Sequence, residues 1–127
     1  MPPDLAEQFL TKGGEDERLL ELVVDDQTVS ESIYGFHVQQ AIEKYVKAVL
    51  ARFQVKVPKV HDIAYLLGRA EGAGAPSVID VDRADGFTIF AVEDRYPFLS
   101  IGLPESRQDA LDFVVEVRTW AEGVVRS

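Results

Sequence analysis

The stretch from Ser30 to Phe53 limits the possible folds more than any other part of the chain. It contains no proline, and its only glycine, Gly35, lies near its start. Val38, Ile42, Tyr45, Val46, Val49 and Phe53 recur mostly at steps of three and four. That spacing places side chains on one face of an α-helix. Thr28-Val29-Ser30-Glu31 matches a capping box, in which the Thr hydroxyl and the Glu carboxylate satisfy free amides at the helix start. At 1.5 Å per residue the helix would be about 36 Å long, the span of a small domain, so it is expected to be central. His37, Gln40, Lys44 and Lys47 also step by three and four, on a different face. For His37 and Gln40 the expectation is a hydrogen-bonded polar network inside the fold. Lys44 and Lys47 admit two readings, pairing with acids of the first helix or contact with a phosphate.

The flanking segments are also helical in pattern. Asp4 to about Val24 carries Leu5, Phe9, Leu19, Leu20, Leu22 and Val23, with Gly13-Gly14 in its middle. Each glycine weakens a helix by ~1 kcal/mol relative to alanine, which predicts two short helices or one weakened one. Pro58 marks Val55 to Val60 as a loop, and His61-Asp62-Ile63 opens a third helix, with Asp62 complementing its dipole. The Gly/Pro run from Gly72 to Pro76 ends that helix. Ser77 to Arg95 reads two ways: a hairpin turning at Asp85-Gly86, or a helix with Val81, Ala84, Thr88, Ala91, Val92 and Arg95 along one side. Pro104-Glu105-Ser106 opens a last helix whose apolar positions run from Ala110 to Val124. Trp120 on it reads as core or dimer interface.

Composition excludes several classes. A chain of 127 residues, 46% hydrophobic and 28% charged, suits one globular domain. Cysteine is absent, which removes disulfides, thiolate chemistry and Cys-ligated zinc and fits a cytoplasmic protein. No apolar run approaches the ~18 residues of a membrane span. Met1-Pro2-Pro3-Asp4 does not start a signal peptide. No tight His/Asp/Glu cluster, P-loop, Rossmann glycine pattern, H-E-x-x-H or G-x-S-x-G occurs, so neither a metal nor a cofactor is expected. The net charge of −9 disfavours nucleic-acid binding by bulk electrostatics. The charge is uneven, however. Seven acids and one base, Arg18, lie between Glu15 and Glu31, whereas Lys44 to His61 holds five bases and no acid. Pairing between neighbouring helices and a local anion-binding face both fit this asymmetry.

Three motifs together resemble the HEPN family. Phe36-His37-Val38-Gln39-Gln40-Ala41-Ile42-Glu43-Lys44-Tyr45-Val46-Lys47-Ala48-Val49-Leu50 is similar to its signature helix, F-H-x-Q-Q-A-x-E-K-x-x-K-A-x-L. His61-Asp62-Ile63 followed by Leu66-Leu67 resembles H-D-L-x-x-L-L, and Asp94-Arg95-Tyr96-Pro97 resembles A-R-Y-P with Asp in place of Ala. The resemblance implies an all-α, up-and-down bundle of four to five helices, commonly homodimeric, and favours helix over hairpin in the ambiguous stretch. It implies a link to nucleotide or RNA, and often to a minimal nucleotidyltransferase in a toxin–antitoxin pair. On that reading Lys44, Lys47, His61, Arg95 and Tyr96 are the candidate nucleotide- or phosphate-binding residues.

Active family members are metal-independent ribonucleases with an Arg-x4–6-His motif, in which His moves a proton and Arg stabilises the phosphorane. This chain has only two histidines. The positions where Arg is required hold Ser30, Glu31 and Ser32 before His37, and Gln54, Val55 and Lys56 before His61. The motif is absent, so no catalytic residue is assigned. Lys56-x4-His61 is the nearest imitation, and Lys lacks the bidentate fork of Arg. The expectation is a non-catalytic binding or regulatory module. The alternatives are an atypical ribonuclease toxin and a structural homodimer without ligand.

Overall fold

The computed structural model describes residues 4–91 and 102–127. These residues form α1 (Leu5–Val23), α2 (Glu31–Arg52), α3 (Ile63–Gly72), α4 (Val81–Asp85) and α5 (Arg107–Val125), with a 3-10 turn at Thr88–Phe90. No strand occurs among the described residues. The all-helical bundle is as the residue periodicities and the family resemblance indicated.

The long helix lies at the centre. Ser30 and Phe53, the expected limits, are its N-cap and C-cap. Fourteen of its 22 residues are buried, on all sides rather than along one stripe, as a helix enclosed by neighbours requires. α1, α3, α5 and the 3-10 turn all pack on it. Contacts run from Gly13 with Tyr45 to Leu20 with Tyr34, so α1 and α2 are antiparallel. Pairs from Glu7 with Arg126 to Val23 with Arg107 set α5 antiparallel to α1 as well.

The cap differs from the expected capping box. Ser30 Oγ accepts the Ile33 N–H at 3.1 Å, while Thr28 is held two residues upstream. There the Thr28 N–H and hydroxyl both donate to Asp26 Oδ1. Asp26 forms this local turn first, and the helix begins at the next available hydroxyl. Glu31, freed of the box, accepts the Leu103 N–H at 3.1 Å. Asp62, Asp80 and Ser106 cap α3, α4 and α5 in the same way as Ser30.

The described part of the ambiguous stretch, residues 77–91, does not make a hairpin, and Val92 and Arg95 of the helical reading lie outside the described residues. Asp80 starts a helix, and the buried positions Ile79, Ala84, Phe87 and Phe90 do not alternate as a strand would. Asp85 accepts from Ala64 N–H and Thr88 Oγ1–H instead of entering a hairpin turn. The helix is short, and α4 gives way to the 3-10 turn after Gly86.

Gly13-Gly14 leaves α1 unbroken, and the two glycines have different surroundings. A Cβ on Gly13 would lie 2.7 Å from Tyr45 Cε1, so the missing side chain lets the ring lie against the α1 backbone. A Cβ on Gly14 would meet nothing within 4 Å. Gly14→Ala is therefore expected to stabilise the fold by about 0.5–1 kcal/mol through helix propensity. Gly13→Ala gains the same propensity but must displace a buried ring, for a net loss of about 1 kcal/mol. Urea unfolding of the two variants should give shifts of opposite sign.

α2 ends in a Schellman motif. Val55 N–H donates to Leu50 O and Gln54 N–H to Ala51 O, each at 3.0 Å. Gln54 takes the left-handed φ of 59° that glycine usually supplies at this position. The turn sends the 53–62 connection back along the bundle, so that His61 comes to lie beside Gln39 and Glu43.

Candidate functional site

Two buried carboxylates organise the polar side of α2. Asp16, on α1, receives Lys44 Nζ at 2.6 Å on one oxygen and lies 2.8 Å from His37 Nδ1 through the other. Residues 37 and 44 are two turns apart on one side of α2, so both reach the same acid across the helix interface. Asp16 is 8% exposed, which makes this a partly buried triad rather than a surface pair.

Glu43 centres the second network. Lys47 Nζ donates to Glu43 Oε2 at 2.9 Å. Gln39 Nε2 donates to Glu43 Oε1 at 2.8 Å and to the His61 carbonyl at 3.2 Å. His61 Nδ1 lies 2.8 Å from the same Glu43 oxygen. Gln39, Glu43 and Lys47 step by four, so one stripe of α2 carries all of these but His61, which joins from the connection to α3. Burial by itself pushes the Glu43 carboxyl up. The hydrogen bonds from Lys47, Gln39 and His61, together with the Lys47 charge, outweigh burial and hold it below the usual carboxylate range. The His61 ring remains 56% exposed, in contrast to Glu43 at 6%.

A third acid, Glu17, accepts the Tyr45 hydroxyl at 2.8 Å, and Arg118 Nε of α5 approaches it to 3.1 Å. Burial, reinforced by Glu17, raises the Tyr45 phenol. Tyr34 is raised to about 12 by burial, with the Arg107 charge opposing. Arg107 lies over the Tyr34 ring and donates to the carbonyls of Val23, Asp26 and Val29, pinning the start of α5 to the α1–α2 turn.

These contacts locate the residues singled out in the sequence. Lys44 pairs with α1, whereas Lys47 pairs within its own helix. A phosphate at either lysine would have to displace a carboxylate. His37 joins Asp16 rather than Gln40, and Gln40 donates to Gln39 Oε1 at 2.7 Å. Lys56 is exposed in the connection, five residues before His61. Trp120 is 9% exposed, and its indole N–H donates to the Pro76 carbonyl at 3.1 Å. Arg95 and Tyr96, with Asp94 and Pro97, lie outside the described residues.

Sequence reasoning passed over the hubs Asp16, Gln39 and Glu43. The signal was present in the i, i+4 spacing of Gln39, Glu43 and Lys47. A charged stripe on a helix expected to be central implies internal partners. Among the described residues no group of three or more His, Cys, Asp or Glu is placed to hold a metal. No helix there is long and apolar enough to cross a membrane.

None of the curated proteins and none of the solved structures matches the chain. A family model described as the HEPN domain does match, over residues 7–124. That span includes every helix whose contacts build the two networks, apart from the first two residues of α1 and the last residue of α5. The chain belongs to the HEPN domain family.

Proposed function

We propose that this chain, as one unit from end to end, is a non-catalytic HEPN module of the cytoplasm. It acts by binding rather than by cutting RNA. It works as a homodimer with a partner protein, of the minimal nucleotidyltransferase kind found in toxin–antitoxin pairs, and takes nucleotide or RNA as ligand. The observation that supports this reading is the charge balance around the two histidines. Each has a carboxylate at its Nδ1, and the adjacent lysine is neutralised by that same carboxylate. Neither site offers the surplus, forked positive charge that stabilises a phosphorane. Incubated with single-stranded RNA in the presence of chelator, the purified protein is expected to leave the RNA intact, and its expression should not arrest growth. Metal-independent cleavage that disappears in His61→Ala would overturn this reading.

One observation favours the ribonuclease alternative. A half-exposed imidazole whose other nitrogen is held by a buried carboxylate is how general bases are often oriented. The same cleavage assay decides between the two. The absence of saturable nucleotide or RNA binding would leave only the structural homodimer.

A further inference from the structure

Trp120 forms the floor of an apolar groove that neither polar network of α2 uses. The groove holds about 450 Å³ between the end of α2, the loop after α3 and the last turns of α5. Phe53, Pro76, Val78 and Val124 line it beside Trp120. Phe53 and Val124 are half-buried against the core, whereas Val78 is 66% exposed. The indole N–H bond to the Pro76 carbonyl fixes the Trp120 ring in place. A smaller hollow shares Pro76 and Trp120 and continues to Ile79 and Val81, the latter 36% exposed. The two hollows make one continuous apolar strip, and such strips rimmed by polar groups are where partners dock.

The rim is acidic. Glu71 lines the smaller hollow. Asp80 and Asp82 flank Val81 in the chain, and Glu116 lies one turn before Thr119 and Trp120 on the same face of α5. All four acids are exposed, and none is in an ion pair among the described residues. The arginines of α4 and α5 are already engaged: Arg83 with Glu105, Arg118 with Glu17 and Arg126 with Glu7. Arg52, next to Phe53, is the one cation adjoining the lining in sequence that has no partner among the described residues.

We infer that this groove docks a basic amphipathic helix of a partner protein. Its apolar side chains lie against Trp120 and Val78, and its lysines or arginines meet Glu71, Asp80, Asp82 and Glu116. No strand occurs among the described residues, so no sheet edge is offered to an extended peptide, whereas an apolar groove takes the apolar face of a helix. A second copy of the chain would bring its own net charge of −9 against an acidic rim. An anionic lipid surface is repelled for the same reason. The inference goes beyond the proposed function and does not rest on its nucleotide, RNA or nucleotidyltransferase.

The test uses a tryptophan-free peptide of about 18 residues, with leucine on one helical face and lysine on the others. The fluorescein-labelled peptide should bind saturably by anisotropy at about 150 mM salt, where distant charges are screened. Trp120 is the only tryptophan in the chain, so its emission should change with the same midpoint when unlabelled peptide is added. Val78→Asp should weaken binding about tenfold, as the loss of one buried valine side chain predicts. That variant adds negative charge, so attraction to net charge alone would tighten binding instead. Leu22→Asp adds the same charge at a 64% exposed leucine of α1 and should stay within about twofold of the parent. Glu71→Gln/Glu116→Gln should weaken binding about threefold and flatten its salt dependence. All these positions are exposed, so every variant should keep the parent's circular dichroism. Absence of saturable binding overturns the inference, as does a Val78→Asp variant that binds like the parent or more tightly. Equal binding of a leucine–glutamate peptide of the same pattern also overturns it, because the acidic rim would then play no part. A concentration-dependent dimer in sedimentation that Val78→Asp dissociates would assign the groove to a second copy and overturn the basic partner.

Discussion

Glu43→Ala is expected to destabilise the fold by about 3–5 kcal/mol, measured as a lowered urea midpoint. Removing one partner of a buried ion pair leaves the other charged and unpaired, and costs of that size follow. Here the stranded group is Lys47, whose side chain is 10% exposed. Gln39 also loses its acceptor, and His61 loses the anchor at Nδ1. Replacing the charges together is predicted to behave differently. Glu43→Leu/Lys47→Met fills similar volume without a buried charge and should recover most of the loss. A single variant costing less than about 1 kcal/mol would show that the network does not hold the 53–62 connection to α2.

Acid titration gives the same network a second readout. The Glu43 pKa is lowered in the folded protein, so its contribution is present above the unfolded value, about 4.3. It is lost as pH falls through the folded value. The parent protein should therefore lose stability on acidification below about pH 4.3, and Glu43→Gln should flatten part of that fall.

Gly35→Val is expected to cost at least about 3 kcal/mol, and Gly35→Ala about 2. A Cβ at this position would lie 2.5 Å from Phe90 Cδ1 and 2.7 Å from Cγ, next to the root of a ring only 3% exposed. Such a ring cannot swing aside as a flexible chain end would. Either α2 or the 3-10 turn must move, and overpacking of this kind costs 1–3 kcal/mol or more. The helix-propensity gain of about 1 kcal/mol opposes the loss without cancelling it. Phe90→Leu makes room, so Gly35→Ala/Phe90→Leu should cost less than the sum of the single variants. Strict additivity in thermal or urea unfolding would show that the two residues do not meet in solution.

Both predictions concern residues that sequence reasoning left aside. Gly35 read only as a blemish in a helical run, and Glu43 only as a letter of the family signature. Local reasoning failed at Gly35 because its partner, Phe90, lies elsewhere in the chain; at Glu43 the i, i+4 partners Gln39 and Lys47 were readable, and only His61 was out of local reach. The capping box shows a smaller failure of the same kind. Thr28 and Ser30 are both good caps, and the choice between them was made by Asp26, which captured Thr28.

What short-range spacing established was considerable. The limits of α2, its central place, the Gly/Pro stop after α3 and the start of α5 at Ser106 all follow from periodicity and from capping or breaking residues. Such signals act within a few residues, so they survive without knowledge of the fold. The missing Arg-x4–6-His motif was equally readable, because it is defined along the chain. The tertiary structure alone decided which charges cancel. Five bases between Lys44 and His61 look alike in the sequence, yet Asp16 and Glu43 neutralise two, and three stay exposed without a partner among the described residues. Ion pairs form across space, between a helix and whatever the core packing sets against it, and that pairing fixes where this protein can still attract an anion.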